Sequence, residues 1–431
     1  MFLLPSDRGM IENVGKVSAG KSRAQPRPSR PSWRTRFAHA GYWIIVLALV
    51  GLNGRKYWKD AQPAPELRIA ARLLEQGKTE EAEVTVRALI QESPHYGEAR
   101  LLLARVLGNR GAFAECAEVL KGVPFWSAVK TEALWHEANS WLKADHAKDS
   151  EDAFRRYLTD DPNHPARPRR VEAEIALINL LSLQNRWEET RDLIWGAIKN
   201  AKGRGREELL VMSLRTFLER SSPKASYETV GRFVAADPTD IEARIALATA
   251  ANGIGKTEEA DEQIAVCLKA RPEDPKVWKA WLELLRDRSD AKAITAALVK
   301  APKSLENVVL PFRAFAFLQE EDTTAAADAY EQAVANHPHD PDLQYRLALA
   351  ARRAGRTEIE ARASLRSRAL RKSREELSDS LLIFVRDFRS LDAPPADRAT
   401  AMNRLAKLCE ELGLSRDAME WTRLGKEVAS S

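Results

Sequence analysis

Three regimes of apolar and polar positions follow one another along the chain. Residues 1–36 scatter Pro, Ser and Arg among isolated apolar side chains and offer no periodic face from which to build a core, so a disordered basic tail is expected there. Residues 37–54 contain no Asp, Glu, Lys or Arg and centre on an unbroken apolar run at 43–50. From residue 65 onward, small and apolar residues return in helix-sized blocks separated by Gly-containing turns, a pattern of helical hairpins rather than strands.

As a helix, the 37–54 stretch would span roughly 27 Å, near the thickness of a bilayer's hydrocarbon core. Tyr42, Trp43 and Trp58 add aromatic groups of the kind that settle at a membrane interface. A basic segment before an apolar run also outlines a secretory signal, but Leu49-Val50-Gly51 and Leu52-Asn53-Gly54 place Leu where a cleavage site needs a small residue. The expectation is therefore an uncleaved transmembrane signal-anchor over 37–54, with a cleaved signal or a buried helix as alternatives. The basic flank before it points to a single-pass membrane protein, N-terminus cytoplasmic and body extracytoplasmic. Residues 55–64, ending in Gln62-Pro63-Ala64, form a short linker.

The body repeats. Gly77-Lys78-Thr79-Glu80-Glu81-Ala82 returns as Gly255-Lys256-Thr257-Glu258-Glu259-Ala260, and the pairs Gly77/Gly111 and Pro238/Pro272 are each 34 residues apart. On that frame a small residue of a first helix falls at Ala70, Ala104, Ala138, Ala248, Ala314, Ala348 and Ala406, with larger Ile178, Leu214 and Leu282 in three units. A small residue of a second helix falls at Ala82, Cys116, Ser150, Thr190, Ser226, Ala260, Ala326 and Ala418, and a closing proline at Pro94, Pro162, Pro238, Pro272 and Pro338. Closely crossing helices need small side chains at the contact, the turn favours Gly, and the proline stops the second helix. Thr79 and Thr257 are expected to cap it.

This pattern resembles the tetratricopeptide repeat (TPR). The resemblance implies an all-α TPR-like α-solenoid of roughly ten helical hairpins, divided into a sub-array over 65–160, a possible joint at 161–170 and a sub-array with a C-terminal cap over 171–431. The frame breaks in places: Pro124 arrives early, Glu360 sits where a small residue belongs, and residues 371–396 fit poorly. Each hairpin leaves an apolar face that only its neighbours can cover.

Charge and chemistry narrow the function. The chain of 431 residues is +5 overall, but residues 1–36 alone are +6, which leaves the body at −1. A generally basic nucleic-acid surface is disfavoured. Residues 15–22 match a phosphate-binding loop by letter, yet prolines at 26, 28 and 31 forbid the helix that nucleotide binding needs. His337-Pro338-His339-Asp340 reads as a turn rather than a metal site, and Cys116, Cys267 and Cys409 as small buried residues. No catalytic group, cofactor or metal ligand is nominated, and the chain is expected not to be an enzyme.

The family resemblance implies that first helices line a concave groove for a protein or peptide ligand. Carried over by position, the groove residues are Leu101, Arg105 and Asn109; Trp135, Asn139 and Lys143; Ile175 and Asn179; Ile245, Thr249 and Asn252; and Tyr345, Arg352 and Arg353. The Lys–Asn pair with which TPR co-chaperones grip acidic tails is missing: Leu101, Trp135, Ile175 and Ile245 hold its first position, and Lys279 is followed by Glu283. The expectation is a membrane-anchored scaffold that binds proteins in its groove, resembling bacterial envelope assembly and secretion accessories. Its alternative is a permanent subunit of a membrane complex that docks by its convex face or by the basic strip 352–374.

Overall fold

A computed structural model describes residues 65–159, 169–219, 222–388 and 393–430. Twenty α-helices and no strand occur among the described residues. They are α1 (Pro65–Glu75), α2 (Thr79–Glu92), α3 (Gly97–Asn109), α4 (Phe113–Lys121), α5 (Lys130–Lys143), α6 (Ala147–Thr159) and α7 (Arg170–Leu183). Next come α8 (Trp187–Asn200), α9 (Gly203–Leu218), α10 (Pro223–Ala236), α11 (Ile241–Gly253), α12 (Thr257–Ala270), α13 (Pro275–Asp287) and α14 (Ala291–Lys300). The last are α15 (Glu306–Gln319), α16 (Thr323–Asn336), α17 (Pro341–Arg353), α18 (Thr357–Ile383), α19 (Pro395–Glu411) and α20 (Ser415–Ala429).

The repeat frame accounts for most of this. Ala70, Ala82, Ala138, Ala248, Ala260, Ala314 and Ala326 are fully buried where paired helices approach. The larger residues mark departures. Leu214 belongs to α9, which does not close a hairpin with α10 but packs on α8, α18 and α20. Ile178 joins the same apolar cluster.

Capping differs from expectation. Thr79 and Thr257 make no cap; the N-cap positions are Lys78 and Lys256, without a side-chain bond. Aspartates do that work instead: the Asp240, Asp274, Asp290, Asp322 and Asp340 side chains accept backbone N–H groups at the starts of α11, α13, α14, α16 and α17. A carboxylate reaches those orphan donors and suits the positive end of the helix.

The poor fit of 371–396 also has a physical cause. Lys372 stands 34 residues after Pro338, where a closing proline belongs, so α18 does not stop. It runs 27 residues and continues into a π-helical turn at Phe384–Phe388. Its buried stripe of Ala363, Ser367, Leu370, Ser373, Leu377 and Leu381, continued by Phe384, recurs every three or four residues, the spacing of a coiled-coil seam.

That long helix returns the chain to its own middle. Ile178, Ile194, Trp195, Leu210 and Leu214 share one apolar cluster with Leu370, Leu377, Phe384, Leu405 and Trp421. On the other side, Ala147 and Leu180 pack with Val230, Phe233 and Ala243 of α10 and α11, and Arg232 meets Asp145 at 3.2 Å. Helices α10 to α20 thus depart from α6–α7 and come back to α7–α9, a closed circuit rather than an open solenoid in which units touch only their neighbours.

The membrane placement is corrected. No helix among the described residues is long and apolar enough to cross a membrane. Even the longest, α18, carries Arg, Lys and Glu along its whole length. The single-pass localisation, with its cytoplasmic N-terminus and extracytoplasmic body, is not supported. The expected anchor at 37–54, the tail at 1–36, the 55–64 linker and most of the 161–170 joint lie outside the described residues.

Candidate functional site

Two cavities open between first helices of successive units. The first, about 380 Å³, lies between α5 and α7 and is lined by Trp135, Asn139, Leu142, Glu172, Ile175, Ala176, Asn179, Leu180 and Leu183. Four residues nominated from the frame, Trp135, Asn139, Ile175 and Asn179, meet there. Helical spacing explains the convergence, because residues four apart share a face. The same spacing would have found Leu142, seven residues after Trp135, and Glu172, three before Ile175.

The Trp135 indole is held rigidly against Phe154 and Tyr157, with ring centroids 6.0 and 5.8 Å away, while the Arg169 guanidinium lies 5.3 Å over its ring. Asn139 donates to the Trp135 carbonyl at 2.8 Å, leaving its own side-chain oxygen to accept. Asn179 is exposed on α7. The neighbouring His136 has its pKa lowered chiefly by burial, with Arg169 and Arg105 pushing the same way against Glu132, which favours the neutral ring. The cavity is therefore an apolar trough with two side-chain amides on its rim, and a mixed apolar and amide lining is suited to an extended peptide.

The second cavity, about 340 Å³, is lined by Phe315, Leu318 and Gln319 of α15, Asp342, Tyr345, Arg346 and Leu349 of α17, and Arg371 of α18. Of the nominated residues only Tyr345 lines it. The others lie apart. Arg105 and Asn109 are exposed on α3, with Leu101 half-buried beside them. Lys143 sits 5.1 Å over the Phe113 ring. Ile245 is half-buried against the α11–α13 core, and Thr249 donates to its carbonyl at 3.0 Å. Asn252 accepts from Arg288 at 2.8 Å, and Arg288 also holds Asp261 at 2.8 Å, so this amide is tied to the next turn. Arg353 is exposed, while Arg352 pairs with Glu360 at 2.7 Å.

The basic strip 352–374 is largely engaged within the fold. Arg356 meets Asp328 at 2.6 Å, Arg362 meets Glu331 at 3.1 Å, and Arg371 meets Asp342 at 3.1 Å. Arg366 donates to the Glu411 carbonyl at 3.3 Å, and Arg374 lies 3.4 Å from the Phe217 and Leu218 carbonyls at the end of α9.

The cysteines are buried and unbridged. Burial pushes the Cys267 thiol up to about 11 and raises those of Cys116 and Cys409, so none is a ready nucleophile. Asp340 of the His-Pro-His-Asp turn is a helix cap, bonded to the Asp342 and Leu343 N–H groups at 2.8 and 3.0 Å.

Residues 73–136 and 313–374 each match a family model of the tetratricopeptide repeat. No curated protein sequence matches the chain. Among solved structures, it is similar to a tetratricopeptide repeat protein from Parabacteroides merdae, at 11% identity over 66% of this chain and 97% of that one, with a TM-score of 0.27. A Cut9–Hcn1 hetero-tetramer of APC/C is 12% identical over 92% and 86% of the two chains, at a TM-score of 0.29. A human IFIT1 dimer with PPP-AAAA is 13% identical over 84% and 89%, at a TM-score of 0.32. Residues 73–136 and 313–374 thus carry tetratricopeptide repeats, within an all-α array of paired helices.

Proposed function

We propose that the chain is a protein-interaction scaffold whose α5–α7 cavity receives an extended segment of a partner protein. The observation that carries this reading is the meeting of Trp135, Asn139, Ile175 and Asn179 in one apolar trough. A rigid indole supplies contact area at little cost in entropy, and clustered aromatic anchors dominate interface energies. The two amides pair with peptide N–H and C=O groups, which fixes strand direction without demanding one sequence. No group in the trough supplies a nucleophile or an acid–base pair, so binding rather than chemistry is the proposed activity. The envelope assembly or secretion role rested on the anchor and is not proposed.

Affinity capture with the full chain, compared with Asn139→Ala/Asn179→Ala and with Trp135→Ala, tests the trough. Asn179 is exposed and Asn139 is half-buried with one bond to its own helix, so the Asn pair should disturb the melting temperature less than Trp135→Ala, since Trp135 also packs on Phe154 and Tyr157. A drop in partner recovery of about tenfold is expected for each, consistent with loss of an anchor worth about 1–2 kcal/mol or more. Undiminished recovery by the Asn pair at wild-type stability would refute the assignment.

A further inference from the structure

Helix α18 carries a second stripe. Its buried residues face α9, α17 and α19. The opposite face reads Leu365, Arg368, Lys372, Glu376, Asp379 and Ile383, again at steps of three or four. This face is uncovered: Leu365 is 65% and Ile383 40% exposed, and the Lys372 side chain is 77% exposed. Arg368 reaches back to the Ser364 carbonyl at 3.4 Å, and Lys372 lies 3.7 Å from Glu376 one turn on. Neither contact leaves the helix, and an exposed pair of this kind is worth little.

The order of these residues is complementary to itself when reversed. Leu365 and Ile383 stand nine residues before and after Arg374, and Lys372 and Glu376 stand two before and after it. Arg368 and Asp379 stand six before and five after. Leu365 and Ile383 are eighteen residues apart, five full turns, so they share one direction from the helix axis. Arg374 points the other way, toward the Phe217 carbonyl at 3.4 Å. Two copies of α18 laid antiparallel, with a two-fold axis at the level of Arg374, therefore bring aliphatic to aliphatic and each cation to an anion. A parallel pairing would set Arg368 on Arg368 and Asp379 on Asp379, which like-charge repulsion opposes.

We infer that the outer face of α18 is an interaction surface for a second copy of this chain, paired antiparallel in a symmetric dimer. Leu365 of each copy meets Ile383 of the other, Lys372 meets Glu376, and Arg368 meets Asp379, so every contact occurs twice, as a two-fold interface requires. Farther out, Arg362 and Arg386 approach each other, but Glu331 at 3.1 Å and Asp387 at 2.6 Å already neutralise them within their own copy. Two single helix faces make a small interface, so a dissociation constant in the micromolar range is expected. The inference does not depend on the α5–α7 trough, and its test involves none of the trough's residues.

Sedimentation of the full chain over a range of concentrations tests the pairing. A reversible monomer–dimer equilibrium is expected, weakened by added salt. Arg368→Glu/Lys372→Glu makes the stripe wholly acidic, and Glu376→Lys/Asp379→Lys makes it wholly basic. Each variant alone should dimerise at least about tenfold more weakly than the wild type, because like charges now face one another. An equimolar mixture of the two should recover a one-to-one dimer, since the acidic stripe then meets the basic one. Leu365→Gln, which leaves every charge in place, should weaken the wild-type dimer several-fold. A wild-type chain still monomeric at about 100 μM overturns the inference and leaves the stripe to a foreign helix. A dimer that neither charge variant weakens overturns it in favour of another surface. A mixture that dimerises no better than its two components overturns the antiparallel pairing.

Discussion

Nine hairpin turns place one residue each in the left-handed region. Five use glycine (Gly77, Gly111, Gly255, Gly355 and Gly413), and four use Asp145, Asn185, Ser289 and Glu321, with φ between 57 and 65°. Asn and Asp tolerate that conformation through their short polar side chains; Glu does not share the advantage and carries strain of about 1–2 kcal/mol. Glu321→Gly is therefore expected to stabilise the chain by up to about 1 kcal/mol, after the extra entropy lost by glycine. Gly413→Ala should destabilise it by more than Gly77→Ala, because a Cβ at Gly413 would lie 2.6 Å from the His339 ring whereas nothing lies within 4 Å at Gly77. Urea midpoints read all three, and equal effects at the two glycines would contradict the crowding at His339. Glu189 is informative for a different reason. Hydrogen bonding by Arg186, then by Lys276, overcomes partial burial and lowers its pKa from the ordinary 4.5 to about 2. A depressed folded value means that its contribution is complete above about 4.5 and lost as the pH falls toward 2. Glu189→Gln should flatten the pH dependence of stability within that window and leave it unchanged near neutrality; a slope that persists assigns acid sensitivity to other carboxylates.

At the scale of elements, the sequence made the hairpins legible because a 34-residue frame repeats both the small contact residues and the turn glycines. It made α18 legible only as a missing signal: Lys372 in place of a stop. A proline restored there should have a large and directional effect. Lys372→Pro removes a helical N–H and clashes with the preceding turn, at about 3 kcal/mol or more. It would misalign everything beyond it, including Arg374, whose guanidinium lies 3.4 Å from the Phe217 and Leu218 carbonyls and 5.3 Å over the Phe217 ring. Amide exchange should accelerate in α9 and in the second half of α18 while α15–α17 keep their protection. A uniform loss across all of these would mean that α18 is not a bridge but part of one cooperative block. The trough was legible for the same reason as the hairpins, since Trp135, Asn139, Ile175 and Asn179 repeat one helical face in adjacent units. Asn252 and Arg352 occupy comparable positions yet are held by Arg288 and Glu360, and a frame position does not reveal which neighbour will claim a polar side chain.

At the scale of the molecule, circuit closure left no trace in the sequence pattern, because its polar partners are about two hundred residues apart and follow no period. Asp417 of α20 is fully buried and accepts from Ser213 at 2.7 Å and Arg191 at 2.8 Å, and Arg398 meets the buried Glu207 at 2.7 Å. The seam is not fully satisfied: Arg191 Nε, Trp195 Nε1, Arg206 Nε, Ser380 Oγ and Trp421 Nε1 are buried there without a hydrogen-bond partner. Each such group weighs against closure, and the apolar packing of Leu214, Leu377, Phe384, Leu405 and Trp421 offsets it together with those polar contacts. Asp417 itself is finely placed, since burial raises its pKa while Ser213 and Arg191 pull it down. A raised folded value means that the ionised carboxylate weighs against the closed state at neutral pH, an opposition that lifts as the pH falls. Removing the charge alone should therefore cost little, whereas removing the whole group leaves Arg191 and Ser213 unpaired. Asp417→Ala is expected to destabilise by about 3–5 kcal/mol, the range for breaking one side of a buried pair, and to increase the radius of gyration in X-ray scattering as α19–α20 leave α8–α9. Asp417→Asn, which keeps an acceptor for Ser213, should retain the wild-type scattering curve and lose less than half as much stability. Equal losses for the two substitutions would place the importance of Asp417 in its charge, and an unchanged scattering curve for Asp417→Ala would leave the apolar seam as the whole of what closes the circuit.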